Sequence, residues 1–330
     1  MKFMLIINMD FLPLLGHNSK ILITDCHEAL MPGTYERRTE MNNISVKGKI
    51  DLHMHSVISD GTDTIDELLA NVKAAGIGLF SVTDHDAIKG SVLMRGRAAE
   101  EGIGFISGVE FSCRDEKGKY HILGYGYDPD SEGIKSVIDL GHTFRMNKVR
   151  ARLDHLKSEF GFDFPEDEIA ALLALDNPGK PHIGNLMVKY GYAETKEQAI
   201  SEYINRIHFR GEYVRPEQAI EGILAAGGTP VLAHPSYGSG DQLITGSDMD
   251  DRVRYLMDFG LKGLEAFYSS FTAKLRGEQL SLAEKYGLYV TAGSDYHGSN
   301  KLVMLADTGL DGLSEYPQAF LRFLRDITEY

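Results

Sequence analysis

The sequence predicts an α/β fold in which a parallel, barrel-like sheet is covered by helices. Short apolar runs alternate with segments of helical spacing, and the runs are apolar on nearly every residue. Such runs are typical of parallel strands, which are buried on both faces. Seven strands in succession favour a closed or nearly closed barrel, related to the eight-stranded kind. The predicted strands span residues 49–54, 78–83, 104–109, 120–125, 229–233, 262–267 and 288–292.

The helices between the first strands have recognisable ends. The first covers residues 64–75, where Asp63 and Thr64 are suitable start residues and Gly76 is a suitable stop. The next covers residues 88–101 and follows the second strand. Each helix therefore connects one strand to the next, as a parallel sheet requires.

One long stretch departs from this alternation. Between about residues 131 and 228 the sequence has a helical pattern, punctuated by Gly and Pro, without a good strand candidate. We interpret it as an inserted all-helical subdomain, because about a hundred residues is a common domain size. The predicted organisation is an N-terminal extension (1–45), a first barrel part (46–128), the helical insertion (129–228) and a second barrel part (229–330).

The N-terminal extension contains two apolar runs, residues 3–7 and 11–15, which Asp10 separates. Both are shorter than the roughly 20 apolar residues of a membrane span. A signal peptide stays an alternative, although its positive region would consist of Lys2 alone. Because Met41 precedes the first predicted strand, we expect residues 1–45 to be poorly ordered.

Composition limits the possible partners. A formal charge of −14 argues against binding of long duplex nucleic acid, which needs a basic surface. Short anionic substrates remain possible, because bound divalent cations would reverse the charge of one cleft. The two cysteines cannot form a disulfide framework, so we expect a cytoplasmic protein without a membrane partner. The oligomeric state stays open.

Histidines and acids gather at the ends of the predicted strands. His53 and His55 are two residues apart in DLHMHS, so their side chains project from one face and could share a metal ion. Parallel barrels carry their active sites at strand ends, and burying so many polar groups without partners would be costly. The sequence therefore predicts a metal site. Its nine candidate ligands are His53, His55, Asp60, His85, Glu110, His121, His234, Asp295 and His297.

The motifs that carry these residues resemble those of the polymerase and histidinol phosphatase (PHP) family. They are DLHMHS, TDHD, GVEFS, HILGY, AHP and GSDYHG, and the resemblance covers residues 50–127 and 229–298. KPHIGN at residues 180–185 resembles the branch containing nucleoside 3′,5′-bisphosphate phosphatases and the 5′-to-3′ exoribonuclease RNase AM. The resemblance implies a distorted seven-stranded barrel and a trinuclear metal site.

By this resemblance, the nine residues would hold three ions. The first would be bound by His53, His55, Glu110 and Asp295. Glu110 would bridge to a second ion, completed by His121 and His234, and Asp60, His85 and His297 would hold the third. Glu110, His234 and Asp295 are also the residues expected to carry catalysis. Imidazole and carboxylate donors are compatible with two to three manganese, iron or zinc ions.

The resemblance implies hydrolysis of nucleotide phosphoesters. A hydroxide held between two ions would be the nucleophile, because a bound metal lowers the pKa of water to about 7 in favourable cases. Lys180 and His182 lie in a loop that opens a helix, a suitable place for an anion. Arg145 could bind substrate or be a solvated charge, and Tyr268 could stack on a base or belong to the core. Asp84 could orient a metal ligand or cap a turn.

Several other functions stay open at this level. An amidohydrolase also begins with HxH, but its family would place a bridging lysine where this chain offers Glu110. Histidinol-phosphate phosphatase is an alternative enzyme, and a structural PHP module is the non-enzyme alternative. Serine hydrolase and P-loop patterns are absent from the sequence. The substrate could be a small bisphosphate or the 5′ end of a short RNA.

Overall fold

The computed structural model describes residues 47–207, 211–237 and 243–328, and the predicted N-terminal extension lies outside them. The fold is mixed α/β. The strands are β1 (Lys49–Asp51), β2 (Ile77–Phe80), β3 (Gly104–Phe105), β4 (Gly108–Arg114), β5 (Lys119–Tyr125), β6 (Thr229–Leu232), β7 (Gly263–Tyr268) and β8 (Tyr289–Gly293). The helices are α1 (Ile65–Ala74), α2 (Lys89–Glu100), α3 (Glu132–Phe160), α4 (Glu166–Leu173), α5 (Lys180–Lys189), α6 (Lys196–Gln198), α7 (Pro216–Ala225), α8 (Gly246–Met257), α9 (Ala273–Tyr286) and α10 (Gln318–Thr328).

The strands form two sheets, and the prediction of seven parallel strands is wrong in two respects. One sheet has the order β1-β2-β3 and the other the order β4-β5-β6-β7-β8. The predicted strand 104–109 is divided, because β3 pairs with β2 whereas β4 begins the second sheet. In addition, β5 runs antiparallel to both β4 and β6.

A tight turn explains the antiparallel pair β4–β5. Only residues 115–118 separate the two strands, and such a short loop can join antiparallel strands only. The Asp115 carboxylate accepts hydrogen bonds from the backbone N–H groups of Lys117 (2.8 Å) and Gly118 (3.0 Å). Aspartate commonly closes turns in this way. The turn brings Glu110 on β4 close to His121 on β5.

Two seams join the sheets through a few backbone hydrogen bonds that lie beyond the ends of the named strands. At the first seam, Leu52 N–H donates to the Ala292 carbonyl (2.9 Å), and an isolated bridge pairs Met54 with Tyr296. At the second seam, Glu110 N–H donates to the Asp84 carbonyl (3.3 Å). Both seams pass beside the predicted metal ligands.

Helix ends follow the signals in the sequence. Thr64 caps α1 in a capping box with Glu67: the Thr64 hydroxyl accepts from Glu67 N–H, and the Glu67 carboxylate accepts from Thr64 N–H. Helix α3 ends at Gly161, which adopts the left-handed conformation (φ 70°) that glycine tolerates best. Among the helices that the structure describes, none combines the length and the apolar composition of a membrane span.

The insertion has a hydrophobic cluster of its own. Val149 and Leu156 of α3 pack with Ile183 and Met187 of α5 in this cluster. The first half of α3 and helix α7 pack elsewhere. Their buried apolar residues, such as Ile134 and Ile220, belong to the main hydrophobic cluster, which the strands of the sheets share. Helix α3 therefore connects the two clusters, and its middle passes close to the predicted metal ligands.

Candidate metal centre

The structure brings all nine predicted metal ligands together. His53 and His55 follow β1, Asp60 lies in the next loop, and His85 follows β2. Glu110 and His121 lie within β4 and β5, His234 follows β6, and Asp295 and His297 follow β8. Three groups of donor atoms, each within 4.8 Å of one another, could hold a metal ion. Their members are His53, His55, Glu110 and Asp295; His85, Glu110 and His121; and His55, Asp60, His85 and His297.

The first group is buried and compact. Glu110 Oε2 lies 3.2 Å from Nε2 of His53 and 3.2 Å from Nε2 of His55. Asp295 Oδ1 lies 3.5 Å and 3.3 Å from the same two nitrogens. Two donors that each lie about 2.0–2.2 Å from one ion, at tetrahedral or octahedral angles, are themselves about 2.8–3.6 Å apart. The observed separations therefore suit a shared ion.

The second oxygen of Glu110 points to a different pair of histidines. Glu110 Oε1 lies 2.9 Å from His121 Nδ1 and 3.2 Å from His234 Nε2, and these two nitrogens are 3.2 Å apart. Glu110 thus directs one carboxylate oxygen into each of two donor groups. A bridging carboxylate requires this arrangement.

The group around Asp60 is more open. Asp60 Oδ1 lies 3.2 Å from His297 Nε2, whereas Asp60 Oδ2 is 4.0 Å from His85 Nε2. The other ring nitrogen of His85, Nδ1, lies 3.3 Å from Glu110 Oε2. His85 therefore lies between two donor groups and faces both.

Unpartnered buried atoms test whether these residues fit a metal ion. His53 Nε2, His55 Nε2, Asp60 Oδ1 and Glu110 Oε2 are buried and make no hydrogen bond of acceptable geometry. Buried polar atoms are nearly always satisfied, so four exceptions among the predicted ligands need an explanation. Divalent ions would satisfy all four, and the donors are those that manganese, iron or zinc accepts.

The electrostatic environment favours positive charge at the same place. Burial opposes a charge on His55, but the carboxylates of Asp295 and Glu110 outweigh it and raise its pKa to about 9. Burial also opposes ionisation of Glu110, but the surrounding histidines hold its pKa well below the usual range. For His85, burial is the larger effect and lowers the pKa to about 3. The carboxylates are therefore ionised, and they attract cations.

Glu265 is a buried residue at this centre that the sequence analysis missed. Its Oε1 accepts a hydrogen bond from His53 Nδ1 (2.9 Å), and its Oε2 accepts from the backbone N–H of His234 (2.7 Å). With Glu265 as the acceptor, His53 keeps its proton on Nδ1 and directs the Nε2 lone pair towards Glu110. The available signal was an acid in the middle of the apolar run GLEAFY, where an ionised side chain needs partners.

Two of the predicted ligands have a strained backbone. His234 and Asp295 have positive φ angles of 28° and 60°, which non-glycine residues rarely adopt. Strained residues of this kind cluster at functional sites and persist where the surroundings hold them. The bond from His234 N–H to Glu265 and the bond from Asp295 N–H to the His53 carbonyl (2.8 Å) hold them here.

Two further buried aspartates fix the loops that carry the ligands. Asp84 accepts from Ser56 N–H (2.8 Å) and from the Ser59 hydroxyl (2.7 Å), and that hydroxyl lies 3.4 Å from His55 Nδ1. Asp51 accepts from Ser294 N–H (2.9 Å) and its hydroxyl (2.6 Å). Asp84 therefore acts on His55 through Ser59, and Asp51 ties the first ligand strand to the loop of Asp295.

The predicted substrate residues Arg145, Lys180 and His182 lie on α3 and α5. Arg145 forms an ion pair with Asp86 and lies 3.4 Å from Ser112 Oγ, which is in turn 3.4 Å from His85 Nδ1. His182 Nδ1 accepts from Gly179 N–H (3.0 Å), so its proton is on Nε2. Lys180 Nζ donates to Asn205 Oδ1 (2.6 Å).

Of the two interpretations of Tyr268, base stacking is wrong and a position in the core is correct. Only 6% of the residue is exposed, and its ring packs against His234 and Phe271. Its hydroxyl donates to Asp295 Oδ2 (2.9 Å), and Lys301 Nζ contacts the same oxygen. Tyr268 and Lys301 thus fix one oxygen of Asp295, which leaves Oδ1 facing the histidines.

Comparisons with known proteins agree with this geometry. The family model for the PHP domain matches residues 51–214. A 3′,5′-nucleoside bisphosphate phosphatase from Chromobacterium violaceum is 30% identical over 75% of this chain and 87% of its own length. A 5′-3′ exoribonuclease from Haemophilus influenzae is 28% identical over 76% of this chain and 90% of its length.

A solved structure supports the same assignment. It is that of a proposed metal-dependent phosphoesterase from Bifidobacterium adolescentis, with a TM-score of 0.71 and 25% sequence identity. The alignment covers 84% of this chain and 96% of that one. The motifs, the converging donors and the extent of these similarities lead to one conclusion. The chain belongs to the PHP family of metal-dependent phosphoesterases.

Proposed function

We propose that this protein hydrolyses phosphoesters of nucleotides that carry a 5′-phosphate. The scissile group would be the 3′-phosphate of a nucleoside 3′,5′-bisphosphate or the first linkage of a short oligonucleotide, which require the same chemistry. The observation that carries the proposal is Glu110, whose two oxygens face separate donor groups. The names of the relatives from Chromobacterium violaceum and Haemophilus influenzae support this substrate class.

We assign the ions as the motifs suggest. His53, His55, Glu110 and Asp295 would hold one, Glu110 with His121 and His234 a second, and Asp60, His85 and His297 a third. When bound, divalent ions supply a water nucleophile that ionises near neutral pH and positive charge that offsets that of the phosphate. Manganese, iron and zinc all accept these donors.

The protein's own residues orient this chemistry. Glu265 keeps His53 in one tautomer, and Tyr268 with Lys301 fixes the carboxylate of Asp295. Donors held in place before substrate binds need no reorganisation during the reaction, which is a major source of rate enhancement. We further propose that the two seams complete a distorted barrel around the centre and that the insertion, residues 129–228, recognises the substrate.

Arg145, Lys180 and His182 are proposed to bind the 5′-phosphate. A Cβ on Gly179 would lie 3.7 Å from a guanidinium nitrogen of Arg145 and 4.0 Å from His182 Nδ1, so both side chains border this glycine. His182 directs Nε2–H away from Gly179 and can donate it to a phosphate oxygen. Arg145 also adjoins His85 through Ser112, which supports an anion site beside the metal centre.

A substrate panel tests the proposed function. It compares adenosine 3′,5′-bisphosphate, short oligoribonucleotides with a 5′-phosphate or a 5′-hydroxyl, and histidinol phosphate, each with manganese. We expect hydrolysis of the bisphosphate and of the oligoribonucleotides with a 5′-phosphate. We expect little hydrolysis of the 5′-hydroxyl oligoribonucleotides and of histidinol phosphate. Preferential hydrolysis of histidinol phosphate, or none of any ester with manganese, iron or zinc, would contradict the proposal.

Replacing Lys180 tests the 5′-phosphate site. A charge-assisted hydrogen bond contributes about 1.5–3 kcal/mol. Lys180→Ala should therefore lower kcat/KM on the bisphosphate about ten- to hundredfold, with a much smaller loss on a chromogenic phosphodiester that lacks a 5′-phosphate. Lys189→Ala, at the exposed end of the same helix, is the matched control. Equal losses on both substrates would show general damage in place of a lost phosphate contact.

A further inference from the structure

A row of half-buried cations lies along one side of α3. Arg145, Lys148 and Arg152 are spaced by three and four residues, so they share one face of the helix. Lys148 Nζ lies 3.9 Å from the centre of the Tyr213 ring, which Arg114 also approaches at 5.3 Å. We term Lys148, Arg152 and Tyr213 the cationic ledge. It continues from the site proposed for the 5′-phosphate.

The cations of the ledge lie close enough to repel one another. Burial and the neighbouring Arg145 and Arg152 lower the pKa of Lys148 to about 7. Burial is also the main cause that lowers the pKa of Arg152 to about 10. For Lys180, burial and then Arg152 lower the pKa to about 8. Positive charge is therefore concentrated here, in a chain whose formal net charge is −14.

Among the residues that the structure describes, carboxylates offset little of this charge. In the part of the chain that the structure describes, Lys148, Arg152 and Lys180 make no ion pair with an acidic side chain. Asp86 attracts Lys148 but is already ion-paired with Arg145. By contrast, the exposed Lys157 at the end of the same helix pairs with Asp163 at 2.9 Å. Half-buried cations without a counter-charge destabilise the protein unless an anion binds them.

The amount of positive charge exceeds what one phosphate requires. A terminal phosphate carries about −1.5 to −2 charges at neutral pH. Lys148, Arg152 and Lys180 carry three positive charges when protonated, in addition to Arg145, whose charge Asp86 offsets. The row also leads away from the metal centre, because Arg145 adjoins His85 through Ser112 whereas Arg152 lies seven residues, about 10 Å, further along the helix.

We propose that the cationic ledge binds the second and third phosphates of a 5′-polyphosphate, so that substrates include nucleotides with a 5′-diphosphate or 5′-triphosphate. This proposal rests on the proposed function, because it extends the 5′-phosphate site. The ester to be cleaved would lie at the metal centre, on the other side of the first phosphate. Further phosphates at the 5′ end would then follow the row from Arg145 towards Arg152.

Calorimetric titration of the full chain with adenosine 5′-mono-, di- and triphosphate, in the presence of a chelator, tests the ledge. We expect the triphosphate to bind about ten- to hundredfold more tightly than the monophosphate, as one further charge-assisted contact would give. The double variant Lys148→Ala/Arg152→Ala should remove most of this difference. The control Arg150→Ala/Lys157→Ala takes the same charge from exposed positions of the same helix and should preserve it.

Equal affinity for the mono- and triphosphate, or equal losses on both in the double variant, would overturn the proposal. Tighter binding of inorganic tripolyphosphate than of the nucleotide would overturn its nucleotide part. Ledge-dependent binding of a 5′-hydroxyl pentanucleotide would overturn the 5′ assignment, because it would place the rest of a nucleic acid chain on the ledge. Since chelator prevents hydrolysis, these results stand apart from whether the protein cleaves the esters proposed above.

Discussion

Glu110→Gln is expected to lower kcat/KM by about a thousandfold or more on every phosphoester, which corresponds to about 4 kcal/mol of lost transition-state stabilisation. The amide keeps the shape of the side chain but removes its charge and replaces one acceptor by a donor. Both donor groups would lose a ligand at once, because Oε2 faces His53 and His55 whereas Oε1 faces His121 and His234. The measurement pairs steady-state kinetics with the metal content of the purified protein.

Glu100→Gln is the matched control for this change. Glu100 ends α2 and is exposed, so the same substitution there should leave kinetics and metal content unchanged. Near-normal turnover by Glu110→Gln, or an unchanged metal content, would show that this carboxylate does not bridge. Folding of the variant is checked separately by circular dichroism, because Glu110 is buried in β4.

Glu265→Gln is expected to weaken metal binding by about ten- to hundredfold, the usual effect of losing a partner of a ligating histidine. A neutral amide would no longer hold the Nδ1 proton of His53 as strongly, so the ring could turn or take the other tautomer. It would also weaken the bond to the strained backbone of His234. Activity should return as manganese is raised, whereas Glu110→Gln should not be rescued in this way.

Metal titration of activity distinguishes the two variants. Glu284→Gln, an exposed position on α9, is the control for Glu265 and should follow the wild-type titration. If Glu265→Gln had wild-type metal affinity but reduced turnover, Glu265 would act on the reaction directly and not through His53. If Glu265→Gln had wild-type metal affinity and wild-type turnover, the hydrogen bond to His53 would contribute to neither.

The cluster of candidate metal ligands could be predicted from the sequence because its signal is local. HxH on a strand and acids after apolar runs depend on a few neighbouring residues, and strand ends converge in any parallel sheet. The contact between His53 and Glu265 joins residues 212 positions apart, and no spacing rule in the sequence describes it. Only the cost of a buried acid pointed to Glu265, without naming its partner.

The antiparallel hairpin was missed for a different reason. Apolar runs identify strands but not their direction, and the alternation of strands and helices elsewhere suggested a parallel sheet throughout. The turn signal was present in the segment RDEKGK, where Asp115 and Gly118 shape the loop. Tyr268 shows the same limit, since an aromatic residue near a strand end can face a substrate or pack inward. In the structure Tyr268 packs inward, and its hydroxyl donates a hydrogen bond to Asp295.

The seams between the two sheets have a thermodynamic consequence. Few backbone bonds cross them, yet the donor groups draw on both sides: His53, His55 and His85 follow strands of the first sheet, whereas Glu110 and His121 belong to the second. An ion shared across a seam would bind the folded chain and not the unfolded one. At a free metal concentration a hundred times its dissociation constant, one such ion adds about 2.7 kcal/mol to the free energy of unfolding. The cohesion of the two sheets would therefore vary with the metal supply of the cell, so that scarcity of the ion would lower the amount of folded protein as well as its turnover.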